Sequence, residues 1–140
     1  MNKLIYSFFI PVLLLALFSG CGKKNESAAG SGINYTAYYF HPTARCESCI
    51  NLESFLKELI EKKYAPKGFV FREVNIEDKE NAHYRKDYSL KFSSVIISKT
   101  ENGKETNWVN LDSVWSYTEK KEDFFRYSER EIDNFIETKK

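Results

Sequence analysis

The chain has 140 residues, 42% of them hydrophobic and 16% aromatic, and its charged residues nearly cancel to a formal net charge of +1. That length suits one ordinary domain with an adequate core. The charge balance lacks the basic excess of a nucleic-acid surface, so no nucleic-acid partner is expected.

Residues 1–20 read as an address. Lys3 precedes an apolar stretch from Ile5 to Phe18, and the small residues Ser19 and Gly20 lead to Cys21. This is the layout of a secretory signal peptide, and the apolar run falls short of the ~20 residues a membrane-spanning helix needs. The segment Leu17-Phe18-Ser19-Gly20-Cys21 resembles a bacterial lipobox, with Phe18 where leucine is usual. A plain signal peptide followed by an unrelated cysteine is the alternative. On the lipobox reading Cys21 is acylated, becomes the first residue of the mature protein and holds it at a membrane by buried methylenes. The expected site of residence is the bacterial cell envelope, outside the cytoplasm. Residues 21–32, rich in Lys, Ser and Gly, then form a flexible tether with too little apolar surface to offset ordering, and residues 33–140 form the domain.

Within that domain, Tyr35 to His41 is aromatic and β-favouring without helical period, and predicts a buried strand. From Glu47 to about Tyr64, Leu52, Phe55, Leu56 and Leu59 share one helix face, and Pro66 and Gly68 end it. Phe69 to Ile76 predicts a second strand, and the helical crossover implies that it pairs parallel with the first. Glu77 to Tyr88 predicts a short surface helix. Ser94 to Ser98 predicts a third strand, and Asn102-Gly103 a tight hairpin into a fourth at Glu105 to Leu111. Thr118 to Thr138 predicts the last helix, with Thr118 as its cap, acidic residues in its first turn, and Phe125, Ser128, Ile132 and Phe135 facing the sheet.

The order β-α-β-α-β-β-α, with Cys46-x-x-Cys49 between the first strand and first helix, is the minimal thioredoxin arrangement. The expected fold class is therefore α/β, a three-layer α/β/α sandwich around a mixed four-stranded sheet. At the helix start, free backbone N–H groups and the helix dipole favour a thiolate on Cys46, which makes it the nucleophile. Cys49, three residues on, is placed to resolve a mixed disulfide. Arg45 adds positive charge beside the pair and Glu47 adds negative charge. His41, at the strand end, either tunes the cysteines or binds substrate, or is simply a partly exposed strand-end residue. His83 reads as solvated. Export to an oxidising space leaves a structural disulfide open. A metal site on Cys46, Cys49, His41 and His83 is the remaining alternative, although neither histidine belongs to a pair of ligands.

Tyr38-Tyr39-Phe40-His41, Arg45-Cys46-Glu47-Ser48-Cys49, Val74-Asn75-Ile76-Glu77, Tyr84 with Asp87-Tyr88, and Trp108-Val109-Asn110-Leu111-Asp112 with Val114-Trp115 carry a family likeness. From Tyr35 to about Phe135 the chain resembles the thioredoxin-like family called the nitrophenyl compound nitroreductase subunit ArsF family. The resemblance implies a part in reducing nitroaromatic compounds. No Gly-x-Gly-x-x-Gly fingerprint occurs in the chain, so the expected redox group is the cysteine pair itself, without a further cofactor. The expected partners are a membrane, reached through Cys21, and a protein or small-molecule redox partner. Compared with thioredoxins, the tryptophan, glycine and proline around the cysteines are replaced, and Ser94 stands at the usual cis-proline position, where a trans bond is expected.

These readings predict a membrane-tethered thiol–disulfide oxidoreductase or electron-transfer partner. A non-catalytic binding or accessory module, its cysteines held as a disulfide or on a metal ion, is the alternative, and exposure of Trp108 and Trp115 bears on it.

Overall fold

The computed structural model of the protein describes residues 32–138. The expected signal peptide, Cys21 and nearly all of the tether lie outside the described residues. Among those described, no helix is long and apolar enough to cross a membrane.

Strand β1 (Ile33–His41) begins two residues before the predicted start and lies inside the sheet. Period-two alternation sends Ala37 and Tyr39 to one face and Tyr38 and Phe40 to the other. Helix α1 (Glu47–Leu59) follows, extended by a π-helical turn at Ile60–Tyr64 and a 3-10 turn at Ala65–Lys67. Leu52, Leu56 and Leu59 are buried on the predicted face. Gly68 stops the run with a left-handed φ of 85° that L side chains rarely adopt.

Strand β2 (Phe69–Asn75) pairs parallel with β1, as a helical crossover requires. The segment after it is only weakly helical, with a 3-10 turn at Lys79–Asn81 and a four-residue helix α2 (Tyr84–Asp87). Strand β3 (Ser94–Glu101) runs antiparallel to β1 and turns into β4 (Lys104–Asn110). Asn102 and Gly103 have φ of 52° and 79°, the signature of a type I′ hairpin turn. The sheet order is β2-β1-β3-β4, with one parallel and two antiparallel pairings.

Helix α3 (Lys121–Glu137) corrects the sequence reading in two ways. Thr118 is not its cap: a 3-10 turn at Asp112–Tyr117 comes first, and the cap position is Lys120, which contributes no side-chain hydrogen bond. The buried stripe is Phe124, Tyr127, Ser128, Ile132 and Phe135, and Phe125, expected to face the sheet, lies on a half-buried flank. This stripe and that of α1 cover one face of the sheet in a single core with Tyr39, Val95 and Ile97. The opposite face carries a smaller core of Phe40, Val74, Ile76, Tyr88, Leu90 and Ile96 beneath α2. Helix, sheet and helix thus form the expected three layers, the third of them thin.

Candidate functional site

The C-terminal end of β1, the start of α1 and the start of β3 meet at one end of the sheet. Antiparallel pairing sets Phe40 against Ser94, bringing the segment before β3 beside the end of β1. Between β1 and α1 runs the short loop Pro42–Arg45. Its Thr43 N–H donates to Glu77 Oε2 at 3.0 Å, and its Thr43 hydroxyl accepts from Asn75 Nδ2 at 3.0 Å.

Cys46 is the N-cap of α1, with extended backbone angles (φ −93°, ψ 167°), and its Sγ accepts the Cys49 N–H at 3.2 Å. Sulfur here takes the place that a serine or aspartate oxygen usually holds at a helix start. A donor and the positive end of the helix dipole therefore both point at the Cys46 sulfur. Cys46 and Cys49 are joined as a disulfide with Cα atoms 5.0 Å apart. Cys46 is exposed, whereas Cys49 is 8% exposed and faces the domain interior. Cys46 is therefore the solvent-facing member of the pair.

Beneath the pair lies Tyr39, fully buried, whose hydroxyl donates to the Cys49 carbonyl at 2.9 Å. Burial raises the Tyr39 pKa above the usual phenol value, while the neighbouring Arg45 guanidinium and the Ser93 hydroxyl act the other way. Ser93 is buried at 5% exposure, so the loop before β3 closes over this phenol.

His41, expected either to tune the site or to stand partly exposed, is buried at 5% exposure and stacks on the Tyr39 ring at 5.5 Å. Its Nδ1 lies 2.8 Å from the Pro42 carbonyl oxygen, and its Nε2 lies 2.8 Å from Glu73 Oε1 without the alignment of a hydrogen bond. Arg45 also reaches Glu73, donating from Nη1 to Oε1 at 3.2 Å, and makes a second ion pair with Glu53 of α1. Its guanidinium sits 5.7 Å from the centre of the Tyr39 ring. Glu47 occupies the first turn of α1, exposed, where an acidic side chain suits the helix dipole.

Ser94 opens β3, is 6% exposed, and donates its hydroxyl to the Phe92 carbonyl at 3.0 Å. The bonds around it are trans, as expected for a non-proline residue. A cavity of ≈ 170 Å³ lies beside it, lined by Phe92, Ser94, Asn110, Asp112 and Trp115 among others, and Phe92 itself is 65% exposed. Trp108 is 40% exposed on the edge strand, whereas Trp115 packs partly against the main core. His83 lies away from the site, exposed and paired with Asp87 at 2.7 Å. Among the described residues, no three of His, Cys, Asp and Glu converge as a metal-ligand group.

Tyr39, Glu53, Glu73 and Ser93 are the site residues that sequence reasoning missed. Glu53 was within reach of it, being one helical turn beyond Cys49 on α1. Glu73 was not, because its place opposite Tyr39 depends on the β1/β2 register.

No protein-family model matches the chain, and no curated protein matches it. Solved structures similar to it include Trxlp from Edwardsiella tarda, at 17% identity and a TM-score of 0.39 over 58% of this chain and 74% of that one. Fasciola hepatica thioredoxin is similar at 17% identity and a TM-score of 0.40, over 67% of this chain and 81% of that one. A malarial protein is similar at 16% identity and a TM-score of 0.38, over 62% of this chain and 96% of that one. The strand order and directions and the crossover helix give the domain a thioredoxin-like fold, with the Cys-x-x-Cys at the start of that helix.

Proposed function

We propose that the protein is a thiol–disulfide oxidoreductase or electron-transfer partner that works through Cys46 and Cys49. The observation that carries this reading is an exposed helix-capping sulfur joined to a buried one in the next turn. In the reducing direction, the Cys46 thiolate attacks one sulfur of a substrate disulfide. A Cys46–substrate bond forms, the substrate S–S bond breaks, and the first substrate thiolate leaves. Cys49 then gives up its proton and attacks Cys46 Sγ. The internal disulfide forms and the second substrate thiolate departs, so two electrons have passed to substrate. A reduced dithiol partner restores the pair, and the oxidising direction is the same sequence reversed.

The lipobox-like residues around Cys21 support an extracytoplasmic, membrane-tethered form of this activity, and Cys21→Ser is expected to release the protein from membranes. The family likeness quoted above supports the further proposal that the electrons serve nitroaromatic reduction by a partner. Titrating the full chain against glutathione redox buffers tests the core of the reading. The expected result is a reversible dithiol–disulfide transition at Cys46 and Cys49. A pair that stays oxidised throughout, in a chain that remains folded, would mark a structural disulfide instead.

A further inference from the structure

A guanidinium one residue before the nucleophile would, left free, add its charge to that of the helix start and stabilise the Cys46 thiolate further. Arg45 is not free. Its side chain, 26% exposed, is turned onto Glu53 of α1 and Glu73 of β2, and the Glu73 oxygen that meets it also lies 2.8 Å from His41 Nε2. Two carboxylates thus face one guanidinium, which more than offsets its charge.

We propose that Glu73 is a positioning residue that, together with Glu53, engages the Arg45 guanidinium and so keeps the Cys46 thiol less acidic than a free Arg45 beside the helix start would make it. This inference rests on the redox reading above. Groups from several elements face Arg45 and Glu73. From β1 come His41 and the face of the Tyr39 ring, from α1 comes Glu53, and Glu47 adds one more carboxylate in the first turn. Glu77 engages the Thr43 N–H on the loop rather than Arg45. Glu73 itself is 43% exposed, so a neutral amide of the same shape can stand there.

Neutralising Glu73 removes a negative charge and leaves Arg45 shared with Glu53 instead of with two carboxylates, and both changes favour the thiolate. A more stable thiolate is a better leaving group from the internal disulfide, so the pair becomes the stronger oxidant.

The test follows alkylation against pH in the reduced full chain, read at each cysteine by mass spectrometry so that Cys21 and Cys49 are kept apart from Cys46. Glu73→Gln is expected to move the Cys46 profile to lower pH, with about threefold or more thiolate on its acid side. Arg45→Gln is expected to move it to higher pH, and Glu73→Asp to leave it near the parent profile. In the Arg45→Gln background, the effect of Glu73→Gln should shrink, because part of it acts through Arg45. The glutathione equilibrium of Glu73→Gln should shift toward the dithiol. A Glu73→Gln profile that coincides with the parent or moves to higher pH overturns the inference while the redox reading stands. Should that variant fail to fold, an Arg45→Gln profile that is unchanged or moves to lower pH overturns it equally. Failure of the parent chain to equilibrate with glutathione strikes the redox reading instead.

Discussion

Tyr39→Phe removes one oxygen atom from the centre of the site and leaves the ring in place. The Tyr39 side chain is fully buried, and its hydroxyl is donated across the sheet–helix interface to the Cys49 carbonyl at 2.9 Å. A neutral hydrogen bond of this kind contributes about 0.5–1.5 kcal/mol net, and a carbonyl left without a donor adds to the loss. The ring still fills its space, so the cavity cost is small. A destabilisation of about 1 kcal/mol is therefore expected, or roughly 4–8 °C in Tm for a domain of this size. Urea unfolding of the oxidised full chain, followed by circular dichroism, measures it. With a slope of about 1–3 kcal/mol/M, the midpoint should fall by roughly 0.3–1 M at an unchanged slope. An unchanged midpoint would show that the bond does not hold the first turn of α1 to the sheet. A changed slope would show that the substitution altered the unfolded or native ensemble, and the energy assigned to the bond would not stand.

Two tyrosines outside the site predict alkaline sensitivity. Burial first, and then a hydrogen-bonded carboxylate, raise the pKa of Tyr64 beside Asp133 and of Tyr88 beside Glu105 far above the ordinary 10.0. The folded state then holds a phenol proton that the unfolded chain loses near pH 10. This stabilisation is intact below the unfolded value and is lost as pH rises toward the folded one, at no more than about 1.4 kcal/mol per pH unit for each tyrosine. Urea midpoints from about pH 9 to about pH 11 should fall, and Tyr64→Phe or Tyr88→Phe should flatten the decline; equal slopes in parent and variants would contradict the assignment. Leu56→Ala, at a fully buried position on α1, should cost about 2–5 kcal/mol in the same unfolding assay. A loss under about 1 kcal/mol would mean that α1 is not anchored through that stripe.

The parts of the fold that the sequence made legible are those governed by short-range rules. Asn102-Gly103 specified a type I′ turn because few other residues accept two positive φ angles in succession. The spacing of Leu52, Leu56 and Leu59 fixed the buried face of α1, and the crossover length fixed the parallel pairing of β1 with β2. The last helix was misread at its start, since a threonine followed by acidic residues imitates a cap and Lys120 offers no capping side chain. Phe124 and Phe125 lie four and three residues before Ser128, both helical spacings, so the spacing alone does not tell which of the two enters the core. At the site, the placement of the cysteine pair at the start of α1 was legible from its position after β1. The charge network was not, because pairing Arg45 with both Glu53 and Glu73 requires the strand register and the path of a four-residue loop, and neither leaves a periodic trace.

In the proposed mechanism Cys46 attacks and Cys49 resolves. Cys49→Ser and Cys46→Ser chains, each reduced and offered a small-molecule disulfide, test it when the adduct at each remaining cysteine is followed by mass over time. Cys49→Ser is predicted to accumulate a stable mixed disulfide at Cys46 within the time the parent takes to oxidise, while the buried Cys49 of Cys46→Ser reacts far more slowly. Equal adduct formation at the two sulfurs, or faster reaction at Cys49, would contradict the account.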